Sequence, residues 1–405
     1  MKMNKLVVAM FAAGVMASPL AYATNGDTMM AVGSQNVALG GTGVAHFVGA
    51  ESTFANPAML GKSQGSEVAG GLTIFTPTVD NTGFTGTTPA GSSAGTSYIP
   101  DVSYSNRISD SLTYGVAMAG IAGMGVNYTG ASPAYVKAKT TMSILKIVPT
   151  IAYNTEAFGV GFSPVLQYGS LAISYTTAGG ATNLNHDANA DMNFGYSLGG
   201  YYNVSSAMTV AAAYNSEIKM SYGNQLSRAG VGFGQVFSDK LDQPAEVKVG
   251  FSVAATDSIT LTADYRQIQW ASANGYREFG WKDQDVVAIG GKYAADGYWI
   301  GIGYNNANNP IAEFANGALT PYGNNGGIVN MFNNLMFPAI IKDAFTFGGG
   351  YSMSKNLDLE GSVMIAPKVT SRVDISDAIA AAPGTLFNTT THSQQSVSIS
   401  ARYKF

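Results

Sequence analysis

Large apolar residues at one parity and small or polar residues at the other run through most of this chain, and no other feature restricts its fold so strongly. In Met192-Asn193-Phe194-Gly195-Tyr196-Ser197-Leu198 the bulky side chains fall on every second position. A repeat of two is that of a β-strand, whose successive side chains point to opposite faces. The pattern returns with Val247, Val249, Phe251 and Val253, with Ile259, Leu261, Ala263 and Tyr265, and with Tyr298, Ile300, Ile302 and Tyr304. It returns again with Leu357, Leu359, Val363 and Ile365, and closes the chain with Val397, Ile399, Ala401, Tyr403 and Phe405.

The connections obey a second rule. Short, turn-like links at Asn106–Asp110, Asn154–Ala157, Val204–Ala207, Ala255–Ser258, Ala294–Gly297 and Ser352–Asn356 alternate with long ones. The long ones are Pro77–Ser97, Asn127–Lys139, Gly169–Ala190, Ser221–Ala245, Gln269–Asp285, Asn305–Asp343 and Pro367–Gln394. Six short and seven long links predict fourteen strands. Short turns on one side and long loops on the other are the habit of outer-membrane barrels, with the short turns and both termini periplasmic.

Composition supports a membrane rather than an aqueous setting. Only 11% of residues are charged, while 49 are Gly, 22 Tyr and 19 Phe. So few charges keep a large globule poorly dissolved, and past the N-terminus no run of 18 apolar residues offers a membrane helix. An all-β, transmembrane antiparallel barrel reconciles the two, because alternate residues face lipid. Cys is absent, which excludes disulfides, thiolate chemistry and Cys-bound metals. The N-terminus carries Lys2 and Lys5, the apolar run Leu6–Val15, and Ala21-Tyr22-Ala23, the pattern of a signal peptide cut after Ala23. Loss of its two lysines moves the formal charge from −4 to −6; without a basic patch, nucleic acid is an improbable partner. The expected division is a signal peptide at 1–23, an N-terminal segment at 24–66 and the barrel at 67–405. The segment from Thr24 to Gly61, rich in Gly, Ala and Met, has no strand pattern, and a closed barrel offers it no edge. It is long enough to plug the lumen as a hatch.

Gly40-Gly41-Thr42-Gly43-Val44-Ala45, followed by Ala55-Asn56-Pro57-Ala58, resembles the hatch of the FadL family, whose members carry long-chain fatty acids or aromatic hydrocarbons. Ile99-Pro100, Asp264-Tyr265-Arg266 through Trp270, and Trp281-Lys282-Asp283 through Asn309-Pro310 are similar to family features along the barrel. The resemblance spans the mature chain. It implies fourteen strands, a hatch bordering an internal pocket, and a third strand that kinks inward and opens the wall sideways.

Candidate sites follow, each with a plainer reading beside it. Asn56, Pro57 and Ala58 form the hatch motif; Asn suits an N-cap and Pro the first helical position, so local architecture explains them as well as ligand contact does. Gly120, Gly123 and Gly125, with Met118, Ile121 and Met124, lie in the third strand, where Gly marks a bend or close backbone approach. Lateral opening and an ordinary bend weigh about equally there. Phe332, Leu335, Met336 and Phe337 crowd one external loop and Phe233 and Phe237 another, an expected hydrophobic surface unless the loops pack on each other over the mouth. Lys248, Asp264, Arg266, Asp358 and Glu360 share the inward parity. Lys248 and Arg266 are candidate partners for a ligand carboxylate, although such charges more often pair together. His46, His186 and His392 are isolated, so no catalytic residue, metal site or cofactor is expected. Gly41 and Gly43 lack the strand–Gly–helix context of a nucleotide loop.

The function these features imply is passive uptake of hydrophobic molecules across the outer membrane of a Gram-negative cell, by hatch movement and lateral exit. Expected partners are the hydrophobic ligand, outer-membrane lipid and lipopolysaccharide, and the barrel-insertion machinery that reads the end at Phe405. A monomer is expected. The rivals are a general porin for polar solutes, which places charges around a constriction, and an outer-membrane lipid hydrolase, which needs an activated nucleophile.

Overall fold

The computed structural model describes residues 24–83, 88–130, 136–176, 183–184, 187–379, 382 and 384–405; the expected signal peptide lies outside them. Fourteen long strands build the wall. They are β1 (Ser66–Asn81), β2 (Ser97–Arg107), β3 (Leu112–Asn127), β4 (Lys137–Asn154), β5 (Phe158–Thr176), β6 (Asn189–Ser205) and β7 (Met208–Asn215). They continue as β8 (Glu246–Ala254), β9 (Ile259–Ile268), β10 (Gln284–Ala295), β11 (Tyr298–Ala307), β12 (Asp343–Ser352), β13 (Leu357–Asp374) and β14 (Phe387–Lys404). Each runs antiparallel to the next, and β14 pairs with β1 from Thr390↔Asn81 to Lys404↔Glu67, which closes the barrel. Closure pairs the edge amides and carbonyls, which a lipid environment could not otherwise satisfy.

The alternation read from the sequence is the inside–outside pattern of this wall. Phe194 is 72% exposed, Ile302 66% and Phe347 59%, whereas Ser197, Thr262, Thr346 and Ser398 on the opposite parity are buried. The first set faces the bilayer and the second the lumen. Aromatic pairs flank short turns at Tyr153–Phe158 and Tyr293–Tyr298, and another, Tyr403–Phe405, ends the last strand. At the opposite rim the hydroxyls of Tyr265 and Tyr304 donate to Asp285 and Asp343, each at 2.5 Å. Among the described residues no helix is long and apolar enough to span a membrane.

Several strands rise further than the loop pattern implies. Pro77 and Gln394, expected in loops, pair with each other, and β13 and β14 continue upward to Asp374↔Phe387. Pro367, expected to open a loop, sits inside β13 at a register shift between Ala366 and Val369, where a missing N–H is tolerated. Above the apolar belt the outward positions become polar, as Thr370 and Arg372 are, so the lipid-facing signal stops before the strand does.

The external loops fold into a compact cap. Its helices are α2 (Leu226–Val231) and α3 (Gly326–Met336); α1 belongs to the N-terminal segment (Ser34–Ala38). Asn325 caps α3 by accepting from the Ile328 amide at 2.9 Å. All eleven residues of α3 are buried, and its asparagines are satisfied. Asn333 accepts from the Trp281 indole at 3.1 Å and donates to the Phe279 carbonyl at 2.7 Å. The expected external hydrophobic surface is therefore corrected. Phe332, Leu335, Met336, Phe337 and Phe237 are buried, and Phe233 packs partly buried against Tyr175. These side chains are the cap's own core, because three loops meeting over the mouth give one another an apolar interior.

The N-terminal segment lies within the barrel, touching strands around the circumference. It begins with a minimal hairpin, Thr24–Asn25 against Thr28–Met29, continues through α1, and ends in two 3₁₀ turns, Ala50–Phe54 and Pro57–Lys62. It approaches the wall backbone to backbone. Gly40 has φ +74, and a Cβ added to Gly303 of β11 would strike its amide.

Candidate functional site

Asn56, Pro57 and Ala58 form a bracket between segment and wall. The Asn56 side chain accepts from the Ala58 amide at 2.9 Å and donates to the carbonyls of Val44 at 2.8 Å and Gly200 at 3.2 Å. Asn thus caps the turn that Pro57 opens, as the residue types imply. The wall facing it is bare: a Cβ on Gly161 would run into the backbone of Pro57 and Ala58. On the other side Asp264 of β9 accepts from the amides of Gly43 at 2.7 Å and Val44 at 2.9 Å.

A second anchor lies lower. Arg402 of β14 pairs with Glu51 of the segment at 2.6 Å, with Glu67 of β1 at 3.0 Å and with Glu360 of β13 at 3.5 Å. All four side chains are at least nine-tenths buried. Gly49, at φ +134, leaves the room through which the guanidinium reaches Glu51.

The wall is interrupted between β2 and β3. Their ladder stops at Asp101↔Ala119, although β3 continues to Asn127. Along β3 the alternation is lost, and Ala117 through Met124 are all buried; Ile121 sits at a register shift against β4. The strand therefore bends into the lumen and leaves one edge free. Met118, Gly120, Ile121, Gly123 and Met124 all fall in this bent stretch, and Gly125 lies just beyond it. The N-terminal hairpin covers the free edge from inside. Thr28 pairs with Ala122, and the Gly123 amide donates to the Asp27 carbonyl at 3.0 Å.

Behind the hairpin is a cavity of about 1000 Å³, counting the part open to solvent. Met29, Met30, Val32, Phe54, Ile121, Val148, Val165 and Val286 supply apolar wall; Lys146, Glu246, Lys248, Asp264 and Arg266 supply charge. Lys248 lies 3.2 Å from Glu246 and donates to the Phe54 carbonyl at 3.1 Å. Arg266 reaches Glu246 only at 3.9 Å, and its Nη2 is buried with no hydrogen-bond partner among the described residues. The inward parity assigned to Lys248, Asp264, Arg266, Asp358 and Glu360 agrees with their positions; Asp358 pairs with Lys404 at 2.7 Å. A smaller apolar pocket lies above, beneath the cap, lined by Met124, Leu241, Tyr276, Phe279, Trp281 and Phe337. Lys146, Glu51, Arg402 and Asp27 escaped the sequence reading, because isolated charges on separate segments carry no spacing.

Among the described residues no group of three His, Asp or Glu is placed to hold a metal ion. Asp27 is fully buried, and burial pushes its carboxyl up to about 6 against hydrogen bonds from Tyr276, Thr28 and Gln243. Burial also lowers His46 to about 3, which leaves it neutral.

Residues 12–405 match the family model described as outer membrane protein transport protein (OMPP1/FadL/TodX). A search of curated proteins found no match. Among solved structures, a Pseudomonas aeruginosa FadL homologue superposes with a TM-score of 0.70 at 15% identity, over 94% of this chain and 100% of that one. The Pseudomonas putida toluene transporter TodX gives 0.67 at 17%, over 93% and 99%. The Ralstonia pickettii toluene transporter TbuX gives 0.65 at 18%, over 93% and 99%. At such identities the structural likeness speaks for the fold.

Proposed function

Because the chain belongs to the OMPP1/FadL/TodX family of outer membrane transport proteins, we propose that it is a passive channel for hydrophobic molecules such as long-chain fatty acids or hydrocarbons. The observation that carries this reading is the cavity itself. It lies between an apolar cap and an N-terminal segment and beside the bent stretch of β3, and methionine, valine and phenylalanine line much of it. Lipopolysaccharide obstructs apolar solutes, and a water-filled pore gives them no favourable surroundings; an internal site walled largely by apolar side chains supplies what both lack.

In this reading residues 1–23 are the signal peptide, 24–66 the hatch and 67–405 the barrel. Ligand passes from the pocket under the cap to the inner cavity, displaces part of the hatch, and leaves through the wall between β2 and β3. Met118, Ile121 and Met124 flank that exit, and Gly120, Gly123 and Gly125 let the backbone bend. Lys248 and Arg266 meet the head group of a ligand that carries a carboxylate, and the unpaired Nη2 of Arg266 supports that role. No bond is made or broken, so the protein needs neither cofactor nor nucleophile. It works as a monomer among outer-membrane lipids. Native mass spectrometry of the detergent-extracted protein, exposed in turn to laurate and toluene, tests the reading. Stoichiometric retention of either is expected, with laurate reduced in Arg266→Gln; retention of neither contradicts it.

A further inference from the structure

The hairpin over the wall break is held from above as well as from the side. Asp27, whose carbonyl accepts from Gly123 of β3, directs its carboxylate the other way, to the hydroxyl of Tyr276 in the β9–β10 loop. Its neighbour Thr28 accepts from Gln243 at 3.2 Å, in the β7–β8 loop. Gly26 lies against the Trp270 indole, where a Cβ would collide with the ring. Trp270, Tyr276 and Trp281 form one aromatic cluster, with centroids 4.5 to 5.0 Å apart. Tyr276 and Met124 also line the pocket beneath the cap. One tyrosine therefore faces an apolar pocket with its ring and holds a buried carboxylate with its hydroxyl, and that carboxylate belongs to the residue bonded to β3.

We infer that Tyr276 and Asp27 are positioning residues that couple occupancy of the pocket under the cap to release of the N-terminal hairpin from β3. The inference rests on the channel reading above. A molecule entering the pocket beside Tyr276 shifts the ring and withdraws the hydroxyl from Asp27. Thr28 still donates to the carboxylate at 3.2 Å, but a buried carboxylate that loses one of its donors is disfavoured. The hairpin then moves toward Lys146 and the water of the cavity, uncovering Ala122 and Gly123. The groups facing this contact are Thr28 and Gln243 beside Asp27, Lys146 of β4 below it, and Tyr222 and Asp242 of the β7–β8 loop near Tyr276.

Amide exchange of residues 27–31 and 121–125 in the full chain in detergent, with and without toluene, tests the coupling. In the native protein saturating toluene should speed exchange about tenfold. Tyr276→Phe keeps the ring and removes the donor, so those amides should exchange about tenfold faster without toluene and gain little from it. Asp27→Asn keeps an oxygen for the hydroxyl but removes the charge, so protection should remain and the toluene response should fall. A purely structural contact would instead loosen both variants alike. Native-like protection and response in Tyr276→Phe overturns the coupling, as does a response retained in Asp27→Asn; heat-modifiable migration confirms the barrel in each case. Uptake of labelled toluene by cells is read in parallel. No uptake with the exchange pattern intact contradicts the channel and leaves the coupling standing, whereas uptake without the pattern contradicts the coupling alone.

Discussion

Replacing Arg402 with Met should release the 3₁₀ turn Ala50–Phe54 from the wall while the barrel stays closed. The guanidinium is bonded to Glu51, Glu67 and Glu360 at 2.6, 3.0 and 3.5 Å, and these side chains are 4 to 9% exposed. Removing the cation leaves three carboxylates facing one another in a poorly hydrated space. Breaking a buried ion pair from one side costs about 3–5 kcal/mol. At about 1.4 kcal/mol per factor of ten, local opening becomes about 140- to 3700-fold more frequent. The strand ladder survives, since Arg402 pairs through its backbone with Ala69 and Asp358. The chain contains no Cys, so Ser52→Cys is a unique reporter inside the protected turn. Its labelling by a small thiol reagent should accelerate by that factor when Arg402→Met is added. Glu51→Gln and Glu67→Gln added to the Met variant should restore most of the protection, because the repulsion goes with the charges. Equal labelling with and without Arg402, in a barrel of unchanged heat-modifiability, refutes the reasoning.

Asn56→Ala removes one turn cap and two bonds to Val44 and Gly200, so bilayer conductance should rise while thermal stability of the barrel holds. Gly123→Val favours regular strand pairing over the inward bend; cellular uptake should fall several-fold while laurate binding in detergent is kept. Deleting Phe405, whose amide donates to Ser66 and whose ring meets Tyr403, should deplete heat-modifiable barrel from the outer membrane. The Asp27 carboxyl sits higher in the closed hairpin, at about 6, than in water near 3.8, so the closed form binds the proton more tightly. Its closure is fully favoured below about 3.8 and weakens as pH rises through 6; exchange of residues 27–31, referred to Asp27→Asn at each pH, should be slower at pH 5 than at pH 8.

Lipid-facing alternation made the fourteen strands legible, and the short links located six turns closely. What the sequence hid has physical causes. In Asn388-Thr389-Thr390-Thr391-His392-Ser393 both parities are polar, so a strand above the membrane belt looks like a loop. In α3 and its neighbours the apolar residues look exposed because nothing local says that three loops converge over them. Arg402 and Glu51 lie 351 positions apart, and Asp27 and Tyr276 lie 249 apart, so each pair exists only once the barrel is closed. Gly161 and Gly303 were a partial signal. Glycine on the lumen parity marks where the wall must accept another backbone, although the sequence alone does not say whose.

The central claim is that this barrel admits hydrophobic molecules and not polar ones. Cells carrying it in an otherwise poorly permeable outer membrane should be given labelled laurate or toluene and, separately, a labelled disaccharide. The account expects faster uptake of a hydrophobic compound with disaccharide permeation unchanged from cells lacking the protein. Faster disaccharide uptake with neither hydrophobic compound affected would contradict it, and would identify an open aqueous pore.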